Sequence, residues 1–569
     1  MSPRQGEVVL SDFNSLQPAE LFARRLEPGK WTLIDYSTEP ISGTLLCCSS
    51  ALPPPPAVIP LPVEGWHAIH LGVGRGLGLE PPYLRLSCDT ALFPVAADPK
   101  PDTLGFGFHI LEGFWKCADL TRENLIVAPS PAGGALFWLR LVPLSGAEVD
   151  ALIADRAQRS TRKLIALLDT GSWFEGTRRD TPEKIAEVIE PLRDTDFEIL
   201  IAQIESPLGH ANFLSKHLEL WGDDSPAFAD PPHPHASPGS KFTHDMVAVY
   251  RALREHRTDA LAVLTDRAHA MGLRVLAGSR FQDTFAGPFK DFWSGRFVNE
   301  HPEYLCRDKA DHPIPFVSWA YPPVRERVLA TFRELLERGM DGLALLFVRS
   351  GPLVLYEAPV IQAFRDAHKR DPRELDDADP DWLRFKADLI TGYLREIRRM
   401  MDAVAQASRR ERFPLFVEVD AYGESNMLFG LDVKTWAHEG LIDAVIASDT
   451  IRRPGKPWHD KREDAKLVES DYRYFIDAVE GTRCRLYQDM LPRVTPPNAF
   501  RRKAKSAYEK GAHGLAFWDL HERLGLGQWA TIRRLGHPDE LERDTEPRFV
   551  QVRGLGGLAV DHWHLWWTI

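Results

Sequence analysis

In the second half of the chain, short apolar runs end repeatedly on residues that can do chemistry. KLIALLD closes on Asp169, with Trp173 nearby, and FEILIAQIE closes on Glu205. LRVLAGSR closes on Arg280, with Gln282 and Asp283 just beyond. GLALLFVR closes on Arg349, and the pair Tyr356-Glu357 follows before the next helical stretch. PLFVEVDAY carries Glu418, Asp420 and Tyr422. IDAVIASD ends on Asp449, RCRLYQDM carries Tyr487 and Asp489, and GLAFWDLH carries Trp518, Asp519 and His521. Two carboxylates flanking a glycosidic bond can divide the acid, base and nucleophilic work of cleaving it. An arginine fork grips acidic or hydroxyl groups through paired hydrogen bonds. Aromatic rings add flat apolar faces with polar edges. The leading catalytic candidates are Glu357, Asp420, Asp489 and Asp519, with Glu418 and Glu205 in reserve. Arg280 and Arg349 are expected to hold substrate, Trp319, Tyr321, Tyr356 and Trp518 to stack against it or orient it, and His521 to line the same rim.

Other chemistries find less support. His210, His217, His233, His235 and His244 surround a Pro-rich insertion, DPPHPHASPGS, but match no H-E-x-x-H spacing. No apolar run carries an H-x-H. No G-x-S-x-G elbow is present for a serine nucleophile. Neither a metal nor a cofactor is therefore expected, and activity should survive EDTA. Polar strand ends also occur for structural reasons, since they cap helices and pair with one another, so each single carboxylate has that plainer reading beside the catalytic one.

Elements must place these residues on one surface. From about residue 160, apolar runs alternate with amphipathic segments eight times. TPEKIAEVIEPLRD is a well-marked helix start: Thr181 suits the N-cap, Pro182 the first turn, and Glu183 the positive end of the helix dipole. Continuous apolar runs are what buried parallel strands look like. Eight such units predict a (β/α)8 TIM barrel over 160–540, with its active site at the carboxyl ends of the strands. An open doubly wound sheet is the alternative, but no Gly-rich phosphate loop follows any strand. GVGRGLG lies in a β-rich region with no helix after it. Residues 1–155 read as short strands between Gly, Pro and Asp clusters, which predicts an all-β sandwich as an accessory domain. Residues 541–569 read as a β-like aromatic tail that packs back on the body.

The 569 residues are too many for one core. A net charge of −12 argues against a nucleic-acid binder, which needs a basic surface. No run approaches the length of a membrane span, and the start, MSPRQGEVVLSDF, lacks the pattern of a secretory signal. The six cysteines include no C-x-x-C pair. A cytoplasmic protein with reduced thiols is the expectation. The oligomeric state is left open.

One resemblance sharpens the reading. SRFQD (279–283), NEHPEYLCRD (299–308), VSWAYPPVRERVL (317–329), DGLALLFVRSGPLVLYEAPV (341–360), DPRELDDADPDWLRF (371–385), GLDVKTWAHEGLID (430–443) and GLAFWDLH occur in this order. In this the chain resembles the family 10-like bacterial glycosyl hydrolases, over about 160–540. The resemblance implies a barrel enzyme that cleaves glycosidic bonds in an oligo- or polysaccharide. It also carries a departure. Many relatives have an Asp three residues before the Arg of strand 4, where this chain has Leu346, so catalytic roles do not transfer directly. A carbohydrate-binding barrel without catalysis, or another barrel enzyme such as a lyase or metal-dependent hydrolase, are the competing expectations.

Overall fold

Alternation of inward and outward residues builds the N-terminal part. Tyr83–Leu86 and Ala57–Pro60 each bury every second side chain, as the two-residue repeat of a strand requires. In the computed structural model these strands join Asn124–Ala128 and Phe93–Pro94 in a four-stranded antiparallel sheet. A larger ten-stranded sheet faces it. Leu84, Leu125 and Ile59 of the small sheet share one core with Ile69, Leu71, Leu136 and Leu139 of the large one, the layout of a sandwich. The model describes the chain except residues 1–4, 40, 50, 76–81, 90–92, 95–108, 130–133, 158–162, 170–178, 205, 222–240, 281–294, 349–350, 422, 449–471, 492–496, 519–528, 530, 538–540, 542–547, 557 and 560–569.

The C-terminal segment belongs to the large sheet. Arg548–Gln551 pairs with His109–Asp119 along one edge, and Gly554–Leu555 pairs with Trp31–Ser37 along the other. Only Val552 and Arg553 separate the two strands, so the edges lie within about 11 Å of each other. The large sheet is therefore curled, and Val552 packs inside the curl with Tyr36, Ile110, Phe137 and Trp138. Gly72 is needed there: a Cβ on it would come within 2.4 Å of the Trp138 ring. The Trp138 indole donates to Glu112 at 2.6 Å, and Glu112 also accepts from Arg140 at 3.0 Å, so this buried polar group is matched.

The eight later strands form a closed parallel barrel. Numbered one to eight, they are Leu164–Leu168, Phe197–Gln203, Arg274–Arg280, Gly342–Leu346, Leu415–Asp420, Ala444–Ser448, Arg485–Asp489 and Gly514–Phe517. One face of each strand packs inward, as with Ile165, Ile201, Leu276, Leu346, Phe416, Ile446, Tyr487 and Ala516. The other packs against the helices, as with Leu164, Leu200, Leu345, Val417 and Leu515. Short polar side chains cap the helix starts. Thr181, Asp259, Asp379 and Asp432 accept from Lys184, Ala262, Asp381 and Thr435 backbone N–H groups, and each such cap typically contributes about 1 kcal/mol.

The elements between strands differ in places from the sequence reading. The helical residues before strand 3 form two helices, Lys241–Glu255 and Ala260–Ala270, split where Arg257 takes a φ of 56° and Asp259 caps the second. The helix after strand 1 is α-helical only over Pro182–Ala186. It tightens into a 3-10 helix, Glu187–Leu192, around Pro191, which lacks the N–H an α-helix needs. A two-stranded hairpin, Leu305–Arg307 with Pro313–Val317, stands between strands 3 and 4. Among the described residues, no helix is long and apolar enough to cross a membrane.

The sheets meet the amino-terminal end of the barrel. Helix Gly146–Ala157 runs between them. Its Asp155 pairs with Arg534 at 3.2 Å, and its Arg156 lies 3.7 Å from Asp194. His537 bridges Asp155 and Asp196, at 2.5 and 2.7 Å.

Candidate active site

Strand parity selects what points into the barrel mouth. Phe416 faces inward, so Glu418 and Asp420, two and four residues on, face inward too. The same step from Ile446 reaches Ser448, from Tyr487 reaches Asp489, and from Leu167 on strand 1 reaches Asp169. From Ile201 it reaches Gln203, and Trp518 itself belongs to the inner cluster. Register sets their heights. Arg280 pairs with Leu346, and Leu346 with Glu418. Asp420 pairs with Ser448, and one residue beyond Ala447↔Gln488 brings Ser448 level with Asp489.

Glu418 is the centre of this layer. It is fully buried, and its Oε1 accepts a hydrogen bond from the Trp518 indole across the barrel. Its Oε2 has no hydrogen-bond partner among the described residues. Burial, and then the charge of Asp489, hold its carboxyl well above the usual range; Trp518, Ser448 and Arg280 oppose this only in part. Asp489 is buried as well, and its Oδ2 accepts from the Ser448 hydroxyl at 2.6 Å. Two buried carboxylates whose charges act on each other do not both ionise readily, so the pair favours holding a proton.

The mouth is braced on its other side. Arg280 lies 3.2 Å from Asp169 and stacks over the Trp518 ring, 5.0 Å from its centroid. With its amide turned to suit both neighbours, Gln203 donates to Asp169 at 3.0 Å and accepts from Arg280 Nε at 3.3 Å. A chain of contacts thus runs from Asp169 through Arg280 and Trp518 to Glu418. Asp420 accepts from the Ser425 hydroxyl. Buried Asn426 clamps the end of strand 5, accepting from Asp420 N at 3.1 Å and donating to Asp420 O at 3.0 Å.

Glu357 is differently placed. It is fully buried at the N-cap of helix Ala358–His368, without a capping bond. Its carboxylate accepts from Leu355 N at 2.9 Å and Arg307 N at 3.2 Å, tying the loop to the hairpin. Burial raises its pKa, against the pull of those backbone N–H groups. The aromatic candidates stand around the same hairpin. Tyr356 donates to Asp377 at 2.5 Å and stacks on Trp382 at 5.0 Å. Tyr321 packs on Tyr304 at 5.2 Å, and Trp319 is buried 6.3 Å from Tyr393.

The structure therefore brings Glu418, Asp420, Asp489, Arg280 and Trp518 together and sets Glu357, Trp319, Tyr321 and Tyr356 around the neighbouring hairpin. Glu205, Arg349, Asp519 and His521, with Trp173, Gln282, Asp283, Tyr422, Asp449, His233 and His235, lie outside the described residues. Gln203, Ser448 and Asn426 are site residues that sequence reasoning does not single out. The first two could have been found by counting in twos from the apolar residues of their own strands. Asn426 had no such signal, because it acts from a short helix. A group that could geometrically hold a cation, Asp155, Asp196 and His537, is at the opposite end of the barrel, and there both ring nitrogens of His537 already face carboxylates.

Fold and site together define a (β/α)8 barrel with a buried acidic cluster at the carboxyl ends of its strands. No protein-family model matches the chain, and no curated protein matches it in sequence. Solved structures do resemble it. Alpha-L-fucosidase isoenzyme 2 from Paenibacillus thiaminolyticus is 16% identical at a TM-score of 0.37, with 66% of this chain and 48% of the fucosidase covered. This chain thus spans about half the length of that protein. The glycoside hydrolase domain of PgaB (BpsB) from Bordetella bronchiseptica is 11% identical at a TM-score of 0.38, covering 63% of this chain and 94% of that one. The old yellow enzyme homologue from Zymomonas mobilis, whose name is not that of a glycosidase, is 14% identical at 0.33, covering 66% and 94%. Glycoside hydrolases are among these structural neighbours.

Proposed function

We propose that the protein is a glycoside hydrolase acting on an oligo- or polysaccharide, in the manner of the family 10-like enzymes its motifs resemble. The observation that carries this reading is the buried Glu418–Asp489 pair: burial, and then the charge of Asp489, hold the Glu418 carboxyl well above the usual carboxylate range. A carboxyl whose pKa is raised suits the role of general acid toward a leaving sugar oxygen. Asp489, held by Ser448, and Asp420, held by Ser425, are the carboxylates available as nucleophile or base. Arg280, fixed by Asp169 and Trp518, presents its fork to sugar oxygens. Glu357 and Asp519 remain the further carboxylate candidates.

A second reading has its own support. Leu346 stands in strand 4 where relatives carry an Asp, and Glu418 and Asp489 are 0% and 1% exposed. A barrel that binds saccharide without cleaving it would tolerate both. The two readings separate in one experiment. Aryl glycosides and oligosaccharides are screened with the wild type and with Glu418→Gln, Asp489→Asn and Asp420→Asn, and binding is followed by calorimetry. Hydrolysis lost by roughly 10²- to 10⁴-fold in Glu418→Gln supports the enzyme. Saccharides that bind all four proteins equally and are never cleaved support the binding barrel.

A further inference from the structure

At the seam between the N-terminal sheets and the amino-terminal end of the barrel is a cavity of about 640 Å³, a size typical of small-molecule sites. Trp66, Phe114 and Trp115 line it from the sheets, and Arg267, Trp529 and Arg533 from the barrel's helices. It is remote from the carboxylate cluster, which occupies the other end of the strands.

Most of the cations that line this cavity are matched, and two carboxylates that also line it, Asp119 and Glu123, accept from the Thr121 hydroxyl and from Cys88 N. Lys116 pairs with Asp89 at 2.6 Å. Arg193 reaches Glu190 at 2.5 Å, and Arg267 binds the same carboxylate. Arg156 has Asp194 at 3.7 Å. Among these cations Arg533 is the exception. It is 9% exposed, its guanidinium lies 4.5 Å over the Phe114 ring, and its Nε is buried with no acceptor among the described residues. Among the described residues no carboxylate forms an ion pair with it. Nearby charges include two further cations, Arg156 and Arg534, and Asp196, which already holds His537. Burial lowers its pKa to about 10, which leaves it cationic at neutral pH. A buried guanidinium without a counter-charge is costly to the fold, and the cost falls when an oxyanion enters the cavity beside it.

We propose that this cavity is a second ligand site, separate from the barrel mouth, which takes a small molecule through one carboxylate or phosphate group bound by the Arg533 fork. The aromatic wall of Trp66, Phe114 and Trp115 gives the remainder of such a molecule an apolar surface. Arginine suits both anions, since each offers two oxygens to a planar pair of N–H donors.

The test uses the full chain and needs no assay of turnover. Binding of inorganic phosphate, glucuronate and neutral glucose is measured by calorimetry and by thermal shift, at constant ionic strength. Phosphate or glucuronate should bind and raise Tm while glucose does neither, and whichever anion binds more tightly identifies the source. Arg533→Met should weaken that binding about tenfold or more while the apo protein melts no lower than wild type, because the unmatched charge is gone. Should Arg533→Met fail to fold, Arg533→Lys keeps the charge without the fork and should bind more weakly than wild type. If neither anion binds the wild type, or if the soluble variant binds as tightly as the wild type, the site does not exist. Loss of this site would leave the reading of the barrel mouth untouched, and the reverse holds equally.

Discussion

Glu418 is a residue whose surroundings oppose its charge. Its pKa is raised by burial and by Asp489, so the folded chain holds its proton more tightly than the unfolded chain does. Stability from this group is then fullest at acid pH and declines as pH rises from about 4.5 through the folded value. Each pKa unit of that rise costs about 1.4 kcal/mol above it. Glu418→Gln keeps an oxygen for the Trp518 indole and removes the titration. It should therefore unfold at higher urea than the wild type at pH 7, with the gap closing toward pH 4. A gap that is absent at pH 7 would show that the carboxylate is not held in a charge-averse setting. At this scale the sequence was partly legible. Asp420, Asp489, Arg280 and Trp518 could be named because they close apolar runs. Glu418 stood only in reserve, because nothing in LFVEVD tells which of two inward carboxylates is the drier. Glu357 could not be told apart from them, since its backbone partners Leu355 and Arg307 come from a hairpin the sequence did not announce.

Elements were legible where one face dominates. The eight strands could be read because a buried parallel strand is a continuous apolar run, and the barrel followed from their alternation with helices. The hairpin of Leu305–Arg307 and Pro313–Val317 was not, since Pro313 and Pro315 demote that stretch as a strand and are tolerated only because it is a two-stranded edge. The short helix Gly423–Leu428 was missed for a related reason: six residues carry too little periodicity. Its position is nonetheless tightly set. A Cβ on Gly423 would come within 2.1 Å of the Tyr474 ring, and Asn426 holds both the N–H and the C=O of Asp420. Asn426→Ala leaves two buried backbone groups unmatched, and each such loss costs about 1–3 kcal/mol. The expected outcome is a lower urea midpoint. If the proposed chemistry is right, kcat also falls more than KM changes, since strand 5 carries Glu418 and Asp420.

At the scale of the whole molecule, His537 joins the helix that leaves the sheets to the barrel's amino-terminal end, through Asp155 and Asp196. Its pKa is raised above 6.5, chiefly by the Asp196 hydrogen bond and against the effect of burial. The stabilisation is fully present below about 6.5 and is lost as pH rises through the folded value. Asp196, itself raised mainly by burial, moves stability in the same direction at lower pH. Urea midpoints measured from pH 6 to 9 should fall in the wild type and stay flatter in His537→Gln. Equal slopes would mean that the imidazole is not charged in the folded protein.

The curled sheet has a consequence for the order in which the protein is made. Both of its edges, along His109–Asp119 and along Trp31–Ser37, are covered by strands that come more than four hundred residues later. A ribosome finishes the sheets and then the barrel before it releases 548–555. Through that interval the nascent chain presents two open strand edges, and open edges invite pairing with other chains. Synthesis of 548–555 is thus the step that seals a sheet made much earlier, and a chain stalled before it would be the species that chaperones must shield.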